Sequence, residues 1–167
     1  PDIITLAKSL GGGLPLGAIL STEKIFSTFL DPPLSHLTTF GGNPVSCAAA
    51  IAAFDVIQKE GLIDQTKELG NYLKERLSSA QREFPDSISE IRGIGLWYAI
   101  DLSPESITLP LVQEMQNRGV IVGSMLNSDG TIRIAPPLII RPAEIDTFIG
   151  VLKASLRTLK NQNGNHS

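Results

Sequence analysis

The 167 residues of this chain predict an α/β fold, and three observations carry that reading. Two short apolar runs, at residues 3–6 and 17–21, read as strands on either side of a glycine turn. Two longer segments, 44–60 and 63–84, place apolar residues at helical spacing. From residue 87 onward, extended and helical patterns alternate over short distances, as they do in a small αβ module.

The first strand comprises Ile3, Ile4, Thr5 and Leu6, an uncharged run that predicts a buried strand ending near Lys8. Gly11, Gly12 and Gly13 allow the backbone to turn tightly there. A second apolar strand over 17–21 leads into a short helix over 23–30, which Asp31-Pro32-Pro33 breaks. After a loop through Gly42, Asn43 is placed to act as N-cap and Pro44 to take the first helical position. The helix that follows carries Ala48, Ala52, Val56 and Ile57 to Glu60, and Gly61 stops it. A further helix over 63–84 aligns Leu69, Leu73 and Leu77 on one face before Pro85 closes it, and these two helices are expected to bridge to the next unit. Beyond residue 87 the pattern predicts an extended segment over 91–102, a helix over 109–118, strands over 120–125 and 131–135, and a last helix over 142–159 opened by Pro142. Asn127-Ser128-Asp129-Gly130 has the residues of a hairpin connection. The expected organisation is a cofactor-domain end with an interdomain helix over 1–60, a bridging helix over 61–86, a small αβ domain over 87–160, and a polar, disordered tail over 161–167.

Hydrophobic content of 42% and charged content of 19% fit a globular protein, and a net charge of −3 offers no basic stripe for nucleic acid. Cys47 is the only cysteine, so an intrachain disulfide is excluded, and the alanines beside it point to a packed helix rather than a reactive thiol. With two histidines, one cysteine and no Gly-x-Ser-x-Gly elbow, metal and hydrolase chemistry have no support. No run reaches the roughly 18 apolar residues of a membrane span, and no cationic start precedes a short apolar core. A cytoplasmic protein without a membrane partner is therefore expected. The chain starts at Pro1 and enters a strand pattern at once, which suggests a piece of a longer protein and leaves a lost targeting segment open.

Three positions carry the candidate chemistry. Lys8 stands between an apolar run and the glycine cluster, where a lysine with its stem held loses hydration and its amine is freed to attack a carbonyl; it also reads as a strand-end lysine reaching solvent. Thr38 and Thr39, followed by Phe40-Gly41-Gly42, present hydroxyls and accessible amides that suit a phosphate dianion, or form a plain loop leading to a helix. Arg133, between Ile132 and Ile134 and just before two prolines, is a strand arginine on the surface or a guanidinium that grips a carboxylate with two parallel hydrogen bonds. Trp97 and Tyr98 are expected in the core, and His36 in a loop.

The stretch from Pro1 through Ala18, with Lys8-Ser9-Leu10-Gly11-Gly12-Gly13 at its centre, resembles the lysine segment of the class III aminotransferases. Thr38-Thr39-Phe40-Gly41-Gly42-Asn43-Pro44 and Ile132-Arg133-Ile134-Ala135-Pro136-Pro137-Leu138 resemble two further family segments in the right order. The resemblance runs to about Lys160 and implies the C-terminal part of a pyridoxal-phosphate-dependent transferase of fold type I: the end of the large domain plus the small C-terminal domain. It implies that Lys8 bonds covalently to the cofactor aldehyde and later shuttles the substrate proton. It gives Thr39 to the cofactor phosphate of the neighbouring subunit, hence a homodimer with shared active sites, and Arg133 to the substrate carboxylate. Leu37 stands where the family usually has glycine. The implied reaction belongs to amino-acid metabolism and moves an amino group from an acetylornithine-, ornithine- or 4-aminobutyrate-type donor to 2-oxoglutarate. The lysine segment is slightly nearer the acetylornithine branch. A mutase or decarboxylase on the same scaffold, or a truncated module keeping only fold and dimerisation surface, are the alternatives. The family's first phosphate loop, stacking aromatic ring and pyridine-nitrogen aspartate would all precede Lys8, and none occurs in this sequence, so the chain alone is expected to be inactive.

Overall fold

A computed structural model describes residues 1–33, 35–125 and 128–164. The chain divides into two units, Pro1–Gly61 and the remainder from Leu62. Among the described residues no helix is long and apolar enough to cross a membrane.

In the first unit, β1 (Ile3–Leu6) pairs antiparallel with β2 (Ala18–Ser21), Ile3 opposite Ser21 and Leu6 opposite Ala18. The buried first strand expected from its apolar run is corrected here: all four residues of β1 are exposed, Ile3 at 53%. The reason is topological, since these two strands form a sheet of their own and a two-stranded ribbon cannot cover its own faces. The expected 23–30 helix is α1 (Glu23–Phe26) continued by a 3-10 turn, Ser27–Phe29. Next comes α2 (Pro44–Lys59), whose start agrees with its sequence signals. Asn43 Oδ1 accepts hydrogen bonds from the backbone amides of Val45 and Ser46, both at 3.1 Å, a cap worth about 1 kcal/mol. Gly61, at φ 63°, ends the helix where expected.

The second unit opens with α3 (Leu62–Glu83), which buries Leu73, Leu77 and Ala80 with Leu69 packed beside them, on the face that the leucine spacing predicts. Its antiparallel sheet has the order β3 (Ile88–Ile94), β4 (Trp97–Leu102), β6 (Ser128–Ile134), β5 (Gly123–Met125). Between β4 and β5 lies α4 (Thr108–Asn117), and α5 (Pro142–Gly164) follows β6. One sheet face carries Tyr98, Ile100, Leu102, Ile132 and Ile134 into a core with Leu73 and Leu77 of α3, Leu111 and Met115 of α4, and Ile145, Leu152 and Leu156 of α5. Each fully buried aliphatic side chain there contributes about 1.5–3 kcal/mol through removal from water.

Several expectations change. The extended segment over 91–102 is a hairpin, because Gly95 at φ 56° turns the chain between β3 and β4. A side chain at Gly93 would collide with the Trp97 carbonyl, and one at Gly70 of α3 with the Gly95 carbonyl, so both positions allow a close approach that a larger residue would block. Trp97 is not core: it is 65% exposed, because the two-residue alternation that buries Tyr98 sends Trp97 to the opposite face. Residues 120–122 lie outside β5. Of the expected hairpin connection, Asn127 lies outside the described residues, while Ser128, Asp129 and Gly130 already belong to β6. Of the disordered tail expected over 161–167, residues 161–164 instead belong to α5, which continues through Gly164; residues 165–167 lie outside the described residues.

Candidate functional site

Lys8 follows β1 after the extended Ala7 and opens a 3-10 turn, Lys8–Gly11, whose terminating Gly12 is left-handed. Lys8 itself has φ 62°, the one non-glycine residue with positive φ among those described. For a lysine that conformation costs about 1–2 kcal/mol relative to the right-handed region. Such strain persists only where surrounding structure holds it in place. Here the Leu6–Ala18 pairing holds one side, and the turn bonds Leu10 N to Ala7 O (3.3 Å) and Gly12 N to Ser9 O (3.0 Å) hold the other. Gly12 also lies against α2, where a side chain at that position would come within 3.0 Å of the Ala49 carbonyl. The expected loss of hydration is not supplied by this unit. Lys8 is exposed, and its amine bonds to no described residue.

Thr39 lies in the turn that feeds α2. Gly41 N donates to Thr38 O (3.3 Å) and Asn43 N to Phe40 O (3.2 Å), so the loop is folded by its own backbone rather than by its hydroxyls. The Thr39 hydroxyl has no partner among the described residues, and Phe40 beside it is 77% exposed. A side chain on Gly41 would strike the Thr38 methyl, and Gly42 sits at φ 67°. Thr38, Phe40, Gly41, Gly42 and His36 line an open concavity of about 710 Å³ with residues of β1 and β2. His36 is a loop residue, as expected, with its ring 5.2 Å from that of Phe29.

Arg133 belongs to the second unit and stands on β6, opposite Ala99 of β4 on one side and Gly123 of β5 on the other. Its neighbours Ile132 and Ile134 point into the core, so the same alternation turns Arg133 to the open face. Arg76, Arg92, Arg118, Arg141 and Arg157 each pair with a carboxylate, whereas Arg133 pairs with none of the described residues. It borders a cleft of about 480 Å³ whose wall is mostly apolar, including Leu73, Val120, Ile134, Ile140 and Phe148. A free guanidinium beside an apolar wall suits a small molecule with a carboxylate at one end.

Sequence reasoning missed a polar ladder on the same open face. Arg92 donates to Asp101 Oδ2 and, at 3.3 Å, to Glu90; Thr131 Oγ1 donates to Asp101 Oδ1 at 2.7 Å, with Ser128 Oγ 2.6 Å from Thr131 Oγ1. The Arg92 guanidinium, and after it the Thr131 hydroxyl, hold the Asp101 carboxyl below the usual range against the opposing pull of partial burial. The signal available was the isolated acid between Ile100 and Leu102, but its partners depend on strand register. No group of three or more His, Cys, Asp or Glu able to hold a metal occurs among the described residues.

The model of the family Aminotransferase class-III matches residues 1–156. Among solved structures, the acetylornithine aminotransferase from Elizabethkingia anophelis is similar at TM-score 0.82 and 32% identity, over 93% of this chain and 38% of that one. An S-selective transaminase from Arthrobacter sp. with alanine bound is similar at TM-score 0.85 and 27% identity, over 95% and 38%. A phospholyase from Arthrobacter in complex with phosphoethanolamine gives TM-score 0.87 and 29% identity, over 94% and 39%. The chain thus spans about two fifths of the length of the structures it matches.

Proposed function

The chain belongs to the class III aminotransferases, a pyridoxal-phosphate-dependent family, and from that premise we propose that the protein transfers an amino group from an acetylornithine-, ornithine- or 4-aminobutyrate-type donor to 2-oxoglutarate. The observation that carries the reading is Lys8: a primary amine without a partner among the described residues, presented by a left-handed backbone between a strand and a glycine turn. The donor set fits the cofactor, since a primary amine suits an aldehyde and the Thr39 hydroxyl, without a partner among the described residues and set in a glycine-containing turn, suits a phosphate. When bound, pyridoxal phosphate supplies the aldehyde and a conjugated ring able to take up the electrons of the broken substrate bond.

In this reading Lys8 anchors the cofactor through Nζ and, once the substrate amine has taken its place, carries the proton at the same atom as general base and then general acid. Thr39 Oγ1 donates to the phosphate of the neighbouring subunit, which makes a homodimer part of the site. Arg133 orients the substrate by holding its carboxylate with two parallel N–H donors. The role in amino-acid metabolism and a cytoplasmic location belong to the same proposal.

The test is to supply the full-length, cofactor-loaded protein with 2-oxoglutarate and each of the three donors, and to measure glutamate. Glutamate formed with at least one donor supports the reading. Release of ammonia from phosphoethanolamine without glutamate would replace it with lyase chemistry of the kind named for the Arthrobacter phospholyase.

A further inference from the structure

On the open face of the second unit's sheet, Arg92, Ala99 and Arg133 form one cross-strand row, Arg92 opposite Ala99 and Ala99 opposite Arg133. Two strand spacings separate the arginines, roughly 10 Å between their α-carbons. The small side chain of Ala99 leaves the space between them open, and Arg92, Ile94, Trp97, Ala99, Thr131 and Arg133 all line one groove of about 350 Å³. Two guanidiniums facing one groove would ordinarily form a site for a molecule with two carboxylates.

The two are not equivalent. Arg133 has no carboxylate partner among the described residues, whereas Arg92 is held by Asp101 and, more loosely, by Glu90. Asp101 is itself fixed. Its Oδ1 accepts from Thr131 at 2.7 Å, Thr131 is steadied by Ser128, and the Asp101 main-chain carbonyl accepts from Ser89 Oγ at 3.0 Å. Both carboxylate oxygens are thus engaged, and the side chain is only 24% exposed, which limits competition from water for the ion pair.

We propose that Asp101 is a specificity-determining residue: by sequestering Arg92 it leaves Arg133 as the single carboxylate anchor of this groove, so that the groove offers a fork to one carboxylate only. The inference rests on the carboxylate-binding role given to Arg133 above. Loss of the Asp101 charge releases Arg92, and the row then offers two forks with Ala99 between them, a match for a short dicarboxylate.

The probes are glutarate, a five-carbon dicarboxylate without an amino or keto group, and valerate, its monocarboxylate counterpart. Their binding to the cofactor-loaded protein is read by calorimetry, independently of turnover. In Asp101→Asn, glutarate binding tightens about tenfold, as a new charge-assisted contact allows, while valerate stays within about twofold. Adding Arg92→Ala to Asp101→Asn cancels the gain. Arg92→Ala alone leaves glutarate binding unchanged, and this variant decides the matter if Asp101→Asn fails to fold; weaker glutarate binding in it overturns the proposal. Unchanged glutarate binding in a folded Asp101→Asn also overturns it, as does equal tightening of both probes. Arg133→Ala separates the two levels. If it weakens both probes but Asp101→Asn gains nothing, only the sequestering role of Asp101 fails; if it weakens neither, the carboxylate role of Arg133 fails and the proposal falls with it.

Discussion

Arg133 stands on the third strand of a four-stranded sheet, and its neighbours Ile132 and Ile134 are buried in a core shared with three helices. Lys8 stands on a left-handed backbone at the end of a two-stranded ribbon whose apolar residues are exposed. Arg133 is therefore held by ordinary packing and alternation, with no local strain. Lys8 is held at a local cost, by a strand pairing, two turn bonds and a glycine against α2. The contrast teaches that the two kinds of site fail differently: the arginine is lost with its sheet, whereas the lysine can be lost while the fold improves.

The sharpest way to break that contrast is Lys8→Gly. Turnover of the cofactor-loaded protein should fall roughly 10⁴-fold or more, because both the covalent anchor and the proton carrier are gone. Stability should not fall and should rise by up to about 1 kcal/mol, because glycine adopts φ 62° without strain. Kinetics paired with denaturant unfolding reads both, and a loss of stability would show that Lys8 is not strained.

The second test compares the two units directly. Ile132→Ala should cost about 2–5 kcal/mol, since Ile132 is fully buried. Ile3→Ala should cost under about 1 kcal/mol from a half-exposed ribbon. Equal costs in chemical denaturation would mean that something beyond the first unit's own residues covers β1.

Arg133→Ala should weaken carboxylate-bearing substrates by about 1.5–3 kcal/mol, one to two decades in apparent affinity, and leave a simple amine nearly untouched. Arg133→Lys should rescue only part of this, because a point charge cannot reproduce the planar fork. Equal losses with and without a substrate carboxylate would remove the role.

The smallest effect is on acid stability. Asp101 is lowered by Arg92 and then Thr131, Glu83 by Lys153 and Arg157, and Glu144 by Arg141 from 4.5 to about 2. A carboxyl depressed in the folded state contributes stability above its unfolded pKa and loses it as pH falls through the folded value. Thermal midpoints should therefore hold near neutrality and decline as pH falls below the ordinary aspartate value of 3.8. Glu83 and Glu144 are well solvated and contribute little. The slope should flatten most in Asp101→Asn, and an unchanged slope would mean that the Arg92 pair is not coupled to folding.

Much of this was legible along the chain because local signals agreed with local structure. Asn43-Pro44 and Gly61 bound α2, and the leucine spacing of α3 marks its buried face, since caps and helical period depend only on near neighbours. Burial of β1 was misread because an apolar run does not reveal how many strands stand beside it. The β3–β4 turn and the exposure of Trp97 were missed because Gly95 and a single step of alternation decide them. At the candidate site, the type and order of Lys8, Thr39 and Arg133 could be read from motifs. The left-handed conformation of Lys8 and the Arg92–Asp101–Thr131 ladder could not, since one is a backbone angle and the other a consequence of register across three strands.

The covalent role of Lys8 is tested most directly by saturating the full-length protein with pyridoxal phosphate, reducing with borohydride, and mapping the pyridoxyl adduct by peptide mass spectrometry. The account predicts one stoichiometric label, on Lys8, absent from Lys8→Gly. A stoichiometric label on Lys24 or any other lysine, or one that persists in Lys8→Gly, would contradict it.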